Sequence, residues 1–140
     1  MKTLILALSL VLPSLASSVA QAQAPMQHLT FLKGELHAHV TWEKGPTAGS
    51  ESVMHVAFVD KTHHAVELPA KLKVELWMPA MGHGSSPVTV EKALDEQGAP
   101  KLGEYRVSQV YFIMSGEWEA KVTLVLADSS QETQTIKVKL

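Results

Sequence analysis

The chain has 140 residues, with 12 Lys and Arg against 14 Asp and Glu, 7 His, 6 Met and no Cys. That length allows one ordinary domain. The absence of cysteine excludes a disulfide framework, thiolate metal sites, a thiol nucleophile and a lipobox-type lipid anchor. A formal charge of −2 provides no basic face for a phosphate backbone, which argues against nucleic acid as a partner.

Met1–Ala22 reads as a secretory signal peptide. Lys2 supplies a positive start, Leu4 to Leu12 is an almost unbroken apolar run, Pro13 ends it, and Ala20-Gln21-Ala22 is an A-x-A cleavage site. The run is about half the roughly 20 residues that a spanning helix needs. The expectation is therefore a soluble, exported product starting at Gln23, periplasmic or secreted, with no stable membrane anchor. Residues 23–33 are expected to be a flexible N-terminal segment, with Met26 and His28 in a loose terminus.

From residue 34 onward the pattern is that of strands. Gly34 to Trp42 alternates, with Leu36, Ala38, Val40 and Trp42 on one face and Glu35, His37, His39 and Thr41 on the other. Lys44 to Ser50 is a loop by composition. Val53 to Val59, Lys71 to Met78, Val88 to Lys92, Tyr105 to Met114, Trp118 to Ala127 and Gln134 to Val138 complete seven predicted strands. Val90 to Gln97 is the one stretch compatible with a helical turn. Seven short strands at this spacing predict an all-β fold, an immunoglobulin-like Greek-key β-sandwich covering residues 34–140. In that topology the connections after the first, third and fifth strands share one end. Met78 to Ser86 and Met114 to Glu117 are then spatial neighbours, with Trp42 and His55 at the same end.

Met78-Pro79-Ala80-Met81-Gly82-His83-Gly84 places two thioethers and an imidazole within six residues, on a backbone that Pro79, Gly82 and Gly84 bend tightly. Thioether sulfur is a soft ligand that favours Cu(I), and imidazole completes a mixed site. Thioethers carry no acidic proton and withstand an oxidising compartment better than thiols do. Met114 adds a further sulfur by the end-sharing rule, and Trp77 and Trp118 flank the two turns as candidate shields for a cation. Met78 shares a face with Leu76, so core packing fits it as well as ligation does. His37 and His39, at i and i+2, point from one strand face and form a second candidate chelate for Cu(II), Zn(II) or Ni(II), with simple solvent exposure as the alternative. His63-His64 reads as surface.

No enzyme assembles from these residues. The mature chain does not begin with His, so an amino-terminal copper brace is not available. His83-Gly84-Ser85-Ser86 is not a nucleophile elbow, and there is no phosphate-cradling glycine loop.

Met78-Pro79-Ala80-Met81-Gly82-His83-Gly84, then Gly103-Glu104-Tyr105, then Met114-Ser115-Gly116-Glu117-Trp118-Glu119 together resemble the YtkA-like domain, related to the FixH family of exported or membrane-anchored accessory proteins. The resemblance covers roughly Leu36 to Val138. It implies a small immunoglobulin-like β-domain associated with copper handling and oxidase maturation, with Met78, Met81, His83 and Met114 as ligand candidates. The chain departs from that pattern by carrying a cleavable signal where FixH proteins have a membrane anchor. The leading expectation is a periplasmic Cu(I) carrier or sequestering protein whose partners are the copper ion and a protein donor or acceptor. The alternative is a non-catalytic interaction module that docks through a Met- and Trp-lined end.

Overall fold

The alternation in residues 36–44 is realised as a strand whose inward residues Leu36, Ala38, Val40 and Trp42 are all buried. It belongs to a computed structural model that describes residues 24–140; the signal peptide expected over Met1–Ala22 lies outside the described residues. Nine strands follow in order: β1 (Gln27–Phe31), β2 (Leu36–Lys44), β3 (Glu51–Asp60), β4 (Ala70–Met78), β5 (His83–Gly84), β6 (Thr89–Leu94), β7 (Pro100–Tyr111), β8 (Glu117–Leu126) and β9 (Gln131–Lys139). One sheet has the order β1-β2-β3-β7-β6 and the other β5-β4-β8-β9, antiparallel throughout.

Within those sheets, β2-β3-β7-β6 and β4-β8-β9 reproduce the strand neighbours of an immunoglobulin-like sandwich. The seven strands expected from the sequence are these seven. The connections β2–β3, β4–β6 and β7–β8 share one end, as the chain order predicts.

Three local expectations are corrected. Gln27–Phe31 is not a loose segment: it pairs along β2, because Leu29 and Phe31 alternate inward and Phe31 is fully buried. The stretch 90–97 holds no helical turn; Thr89–Leu94 is strand, and the single helical turn among the described residues is a 3₁₀ turn at Leu32–Gly34. The Met/His turn is also not wholly irregular, since His83–Gly84 folds back as β5 on Trp77 and Met78.

The core fills the space between the sheets, and Trp118, Phe31, Phe58 and Phe112 are its largest fully buried side chains. Gly103, in β7, lets the segment after β3 cross it closely. Its φ is +67°, and a Cβ there would run into the carbonyl oxygen of Val66. Two residues on, Tyr105 meets Phe58 edge-on at 5.9 Å, with Lys92 Nζ 4.6 Å from the tyrosine ring centre. The Gly103-Glu104-Tyr105 stretch is thus a packing device.

Candidate functional site

The turn after β4 is wound on one carbonyl. Met78 O accepts the N–H of Met81 at 3.2 Å and of Gly82 at 3.0 Å. Gly82 follows with φ +63°, a conformation glycine adopts without penalty. The chain then reverses so that His83 pairs directly across from Met78, which places both side chains on one face of the sheet. A Cβ on Gly84 would stand 2.8 Å from Leu76 O, so the return strand approaches this closely only with glycine there.

The turn between β7 and β8 meets this one from the side. Trp118 Nε1–H donates to Met114 O at 2.9 Å, and Gly116 exchanges both backbone hydrogen bonds with Leu140, at 2.9 and 3.0 Å. Behind the two turns lies a row of rings: Trp42 to Phe112 at 6.0 Å, Phe112 to Trp118 at 5.6 Å, and Trp118 to His83 at 6.4 Å in an edge-on contact. His83 Nδ1 lies 3.1 Å from Gly84 O. When Nδ1 carries the proton and donates to that carbonyl, Nε2 is left with a free lone pair, the donor form of a metal-binding imidazole.

The four candidate ligands of this end are therefore brought together by segment but differ in environment. Met78 is in the core, its Cε against Gly116. His83 is half-buried on the same side. Met81 and Met114 are exposed, at 56% and 38%. Of the two tryptophans expected as shields, Trp118 lies beside His83. Trp77 instead alternates to the opposite face from Met78, where Lys121 Nζ stands 5.2 Å from its ring centre.

His37 and His39 stand elsewhere. They project from the outer face of the five-stranded sheet, three to five residues before Trp42 along β2, and so about 10–17 Å from that end along the strand. Sequence reasoning set His28 and His63 aside, yet the structure puts both against this pair. His28 is stacked on His37 at 5.1 Å and tilted against His39 at 5.1 Å; His63 is stacked on His37 at 6.1 Å and on His39 at 6.4 Å. In β1 His28 points outward next to inward Leu29, but with only Leu29 and Phe31 inside, the run is too short for the sequence to name it a strand. The surroundings of His39 hold its pKa below the ordinary histidine value, first by desolvation and then through the neighbouring His28, His63 and His37. Among the described residues, no group of three or more His, Asp or Glu side chains, as they stand, is placed to hold a metal ion.

Comparison with known proteins agrees with the fold and the motifs. A DUF4426 family protein from Pseudomonas aeruginosa PAO1, known from its crystal structure, superposes with a TM-score of 0.56 at 14% identity, covering 82% of this chain and 94% of its own. At that identity the likeness concerns the fold. No curated protein matches the chain in sequence. The family described as YtkA-like matches residues 33–123, from the turn before β2 to within β8, and so includes all three motif stretches. The chain belongs to the YtkA-like family.

Proposed function

We propose that this protein is an exported, periplasmic, non-catalytic copper-binding protein that holds Cu(I) at the Met/His end of its sandwich and exchanges it with a protein donor or acceptor. The observation that carries this reading is the setting of His83. Its Nδ1 sits at a backbone carbonyl, its ring lies against Trp118, and it belongs to the end where the Met81 and Met114 turns meet. An imidazole nitrogen with two or three thioethers is a soft donor set suited to Cu(I). Met81 and Met114 are solvent-facing, which suits hand-over to a partner better than permanent storage. Met78, packed in the core, would supply its sulfur from beneath.

An anaerobic competition titration against a chromogenic Cu(I) chelator tests this. The expected result is withdrawal of one equivalent of copper by the protein and loss of that ability in the Met81→Leu/His83→Ala double variant. Equal, weak competition by both proteins would refute the reading.

A second reading rests on the large apolar side chains exposed at the same end: Tyr111, Ile113, Met114 and Met81. In it, this end is a contact surface for an envelope protein, independent of copper. Copper-insensitive capture of a defined partner, lost on Ile113→Ser, would favour it. Trp118 is unsuitable for that test because it is core.

A further inference from the structure

The imidazoles on the outer face of the five-stranded sheet form a closed ring of contacts. His28 touches His37 and His39, and His63 touches the same two, at centre-to-centre distances of 5.1, 5.1, 6.1 and 6.4 Å. We propose that His28, His37, His39 and His63 form a second metal site, an all-imidazole site for one divalent transition-metal ion such as Zn(II) or Cu(II), separate from the Met/His end.

Three separate segments supply the four rings, and each is held in place. His37 and His39 are fixed two apart on a central strand, opposite Val59 and Ala57 of β3. β1 registers His28 opposite His39 and Thr30 opposite His37, and Thr30 Oγ1 lies 3.4 Å from His37 Nδ1. That contact occupies one nitrogen of His37 and leaves Nε2 for a ligand role.

His63 is placed by the turn that follows β3. Asp60 Oδ1 accepts the Thr62 N–H at 2.8 Å, the Thr62 hydroxyl at 2.6 Å and the His64 N–H at 3.0 Å, while His63 N–H returns to Asp60 O at 3.0 Å. His63 itself occupies the left-handed region at φ +64°, where a glycine would be less strained. The turn therefore spends backbone freedom on the one residue whose ring reaches His37 and His39.

The spacings suit a shared ion. Two imidazoles on one tetrahedral ion at the usual Zn–N distance of about 2.0–2.1 Å have ring centres about 5 Å apart. Opposite imidazoles on a square-planar ion have centres about 6 Å apart. The two 5.1 Å separations from His28 match the tetrahedral value, while His63, at 6.1 and 6.4 Å from His37 and His39, must swing inward to join them. Three of the four contacts are stacked and the His28–His39 contact is tilted, so binding requires side-chain rotation without movement of the sheet. His28 and His63 are exposed and free to turn. Imidazole without sulfur favours borderline divalent ions over Cu(I), so the two sites are distinguished by metal as well as by position.

Titration of the untagged protein with Zn(II), followed by calorimetry and by the histidine ring signals in NMR, tests the proposal. Expected is one ion per chain, with shifts at His28, His37, His39 and His63 and none at His64. His37→Gln/His39→Gln should abolish binding, and His28→Gln and His63→Gln should each weaken it at least tenfold, on the order of what disturbing a ligand's surroundings costs. Met81→Leu/His83→Ala should bind Zn(II) as the unaltered protein does, which separates this site from the Cu(I) reading. Circular dichroism confirms that the variants fold. Absence of saturable Zn(II) binding, or undiminished binding by both His28→Gln and His63→Gln, would overturn the four-histidine site.

Discussion

The methyl group of Met78 occupies the space that a side chain on Gly116 would need: a Cβ built on Gly116 stands 2.5 Å from Met78 Cε. Gly116 also has φ +138°, which side chains rarely adopt. This contact joins the two turns of the Met/His end, so the glycine of the Met114-Ser115-Gly116 segment is a packing requirement and not a ligand feature. Gly116→Ala is expected to destabilise the protein by about 1–3 kcal/mol through backbone strain and overpacking, measured by denaturant unfolding. Combining it with Met78→Ala should relieve the collision but leave the strain and open a cavity, so the double variant should be non-additive.

Gly103→Ala should cost more than a surface glycine change does. The obstacle is the backbone carbonyl of Val66, which cannot rotate aside as a methionine methyl can. A loss of about 3 kcal/mol is expected from the positive φ and the clash together. Gly98→Ala is the control: its φ is +81° but nothing lies within 4 Å of the added carbon, so only the conformational part, about 1 kcal/mol, should appear.

Methionine variants separate packing from ligation. Met78→Leu replaces a core side chain by one of similar volume and should cost less than about 1.5 kcal/mol. Met81→Leu and Met114→Leu alter exposed side chains and should leave stability within about 0.5 kcal/mol. Cu(I) affinity should fall in both exposed variants. Unchanged Cu(I) affinity in both would remove the soft-ligand reading while leaving the fold description untouched.

Trp118→Phe keeps an aromatic ring in the core but removes the indole N–H that holds Met114 O. A stability loss of about 1–3 kcal/mol is expected from the vacated volume and the unpaired carbonyl. The turn carrying Met114 should exchange its amide protons faster, which hydrogen-exchange measurements on residues 113–116 would detect.

Stability should decline on mild acidification through the histidine cluster. The folded-state pKa of His39 lies below the ordinary 6.5, with desolvation the larger cause and its three histidine neighbours the rest. Above about 6.5 the ring is neutral whether the chain is folded or not, so nothing is lost there. As pH drops below that value the unfolded chain takes the proton first, and stability falls until the folded-state pKa is passed. With chelator present to exclude metal, thermal unfolding from pH 7.5 down to 5 should show this slope, and His39→Gln should flatten it. An unchanged slope in that variant would show that His39 does not contribute it.

Much of the architecture is legible in the order of residues. Strict alternation in residues 34–42 and 71–78 names both the strands and their buried faces, because a side-chain period of two allows only one register with Leu36, Val40, Val74 and Leu76 inside. Chain order alone then brings the connections at 78–86 and 114–117 to one end, and Met78 Cε against Gly116 together with the His83–Trp118 ring contact bears that adjacency out. β1 escaped notice because two inward residues, Leu29 and Phe31, are too few to show a period.

What the sequence by itself determined is thus the strand set, the sandwich topology and the meeting of the two Met-bearing turns, all of which follow from local periodicity and from connection rules. Tertiary structure alone decided how deeply each methionine sits, since the fate of Met78 depends on the space above Gly116. It also decided that His28 and His63 join His37 and His39. Their separations along the chain carry no periodic signal; the contact arises from the β1–β2 register and from a turn that Asp60 holds in a left-handed conformation. Composition counted seven histidines and no cysteine; packing across the sheet gathered four of those histidines into one ring of contacts and left half-buried His83 apart from them, on the turn that carries Met81.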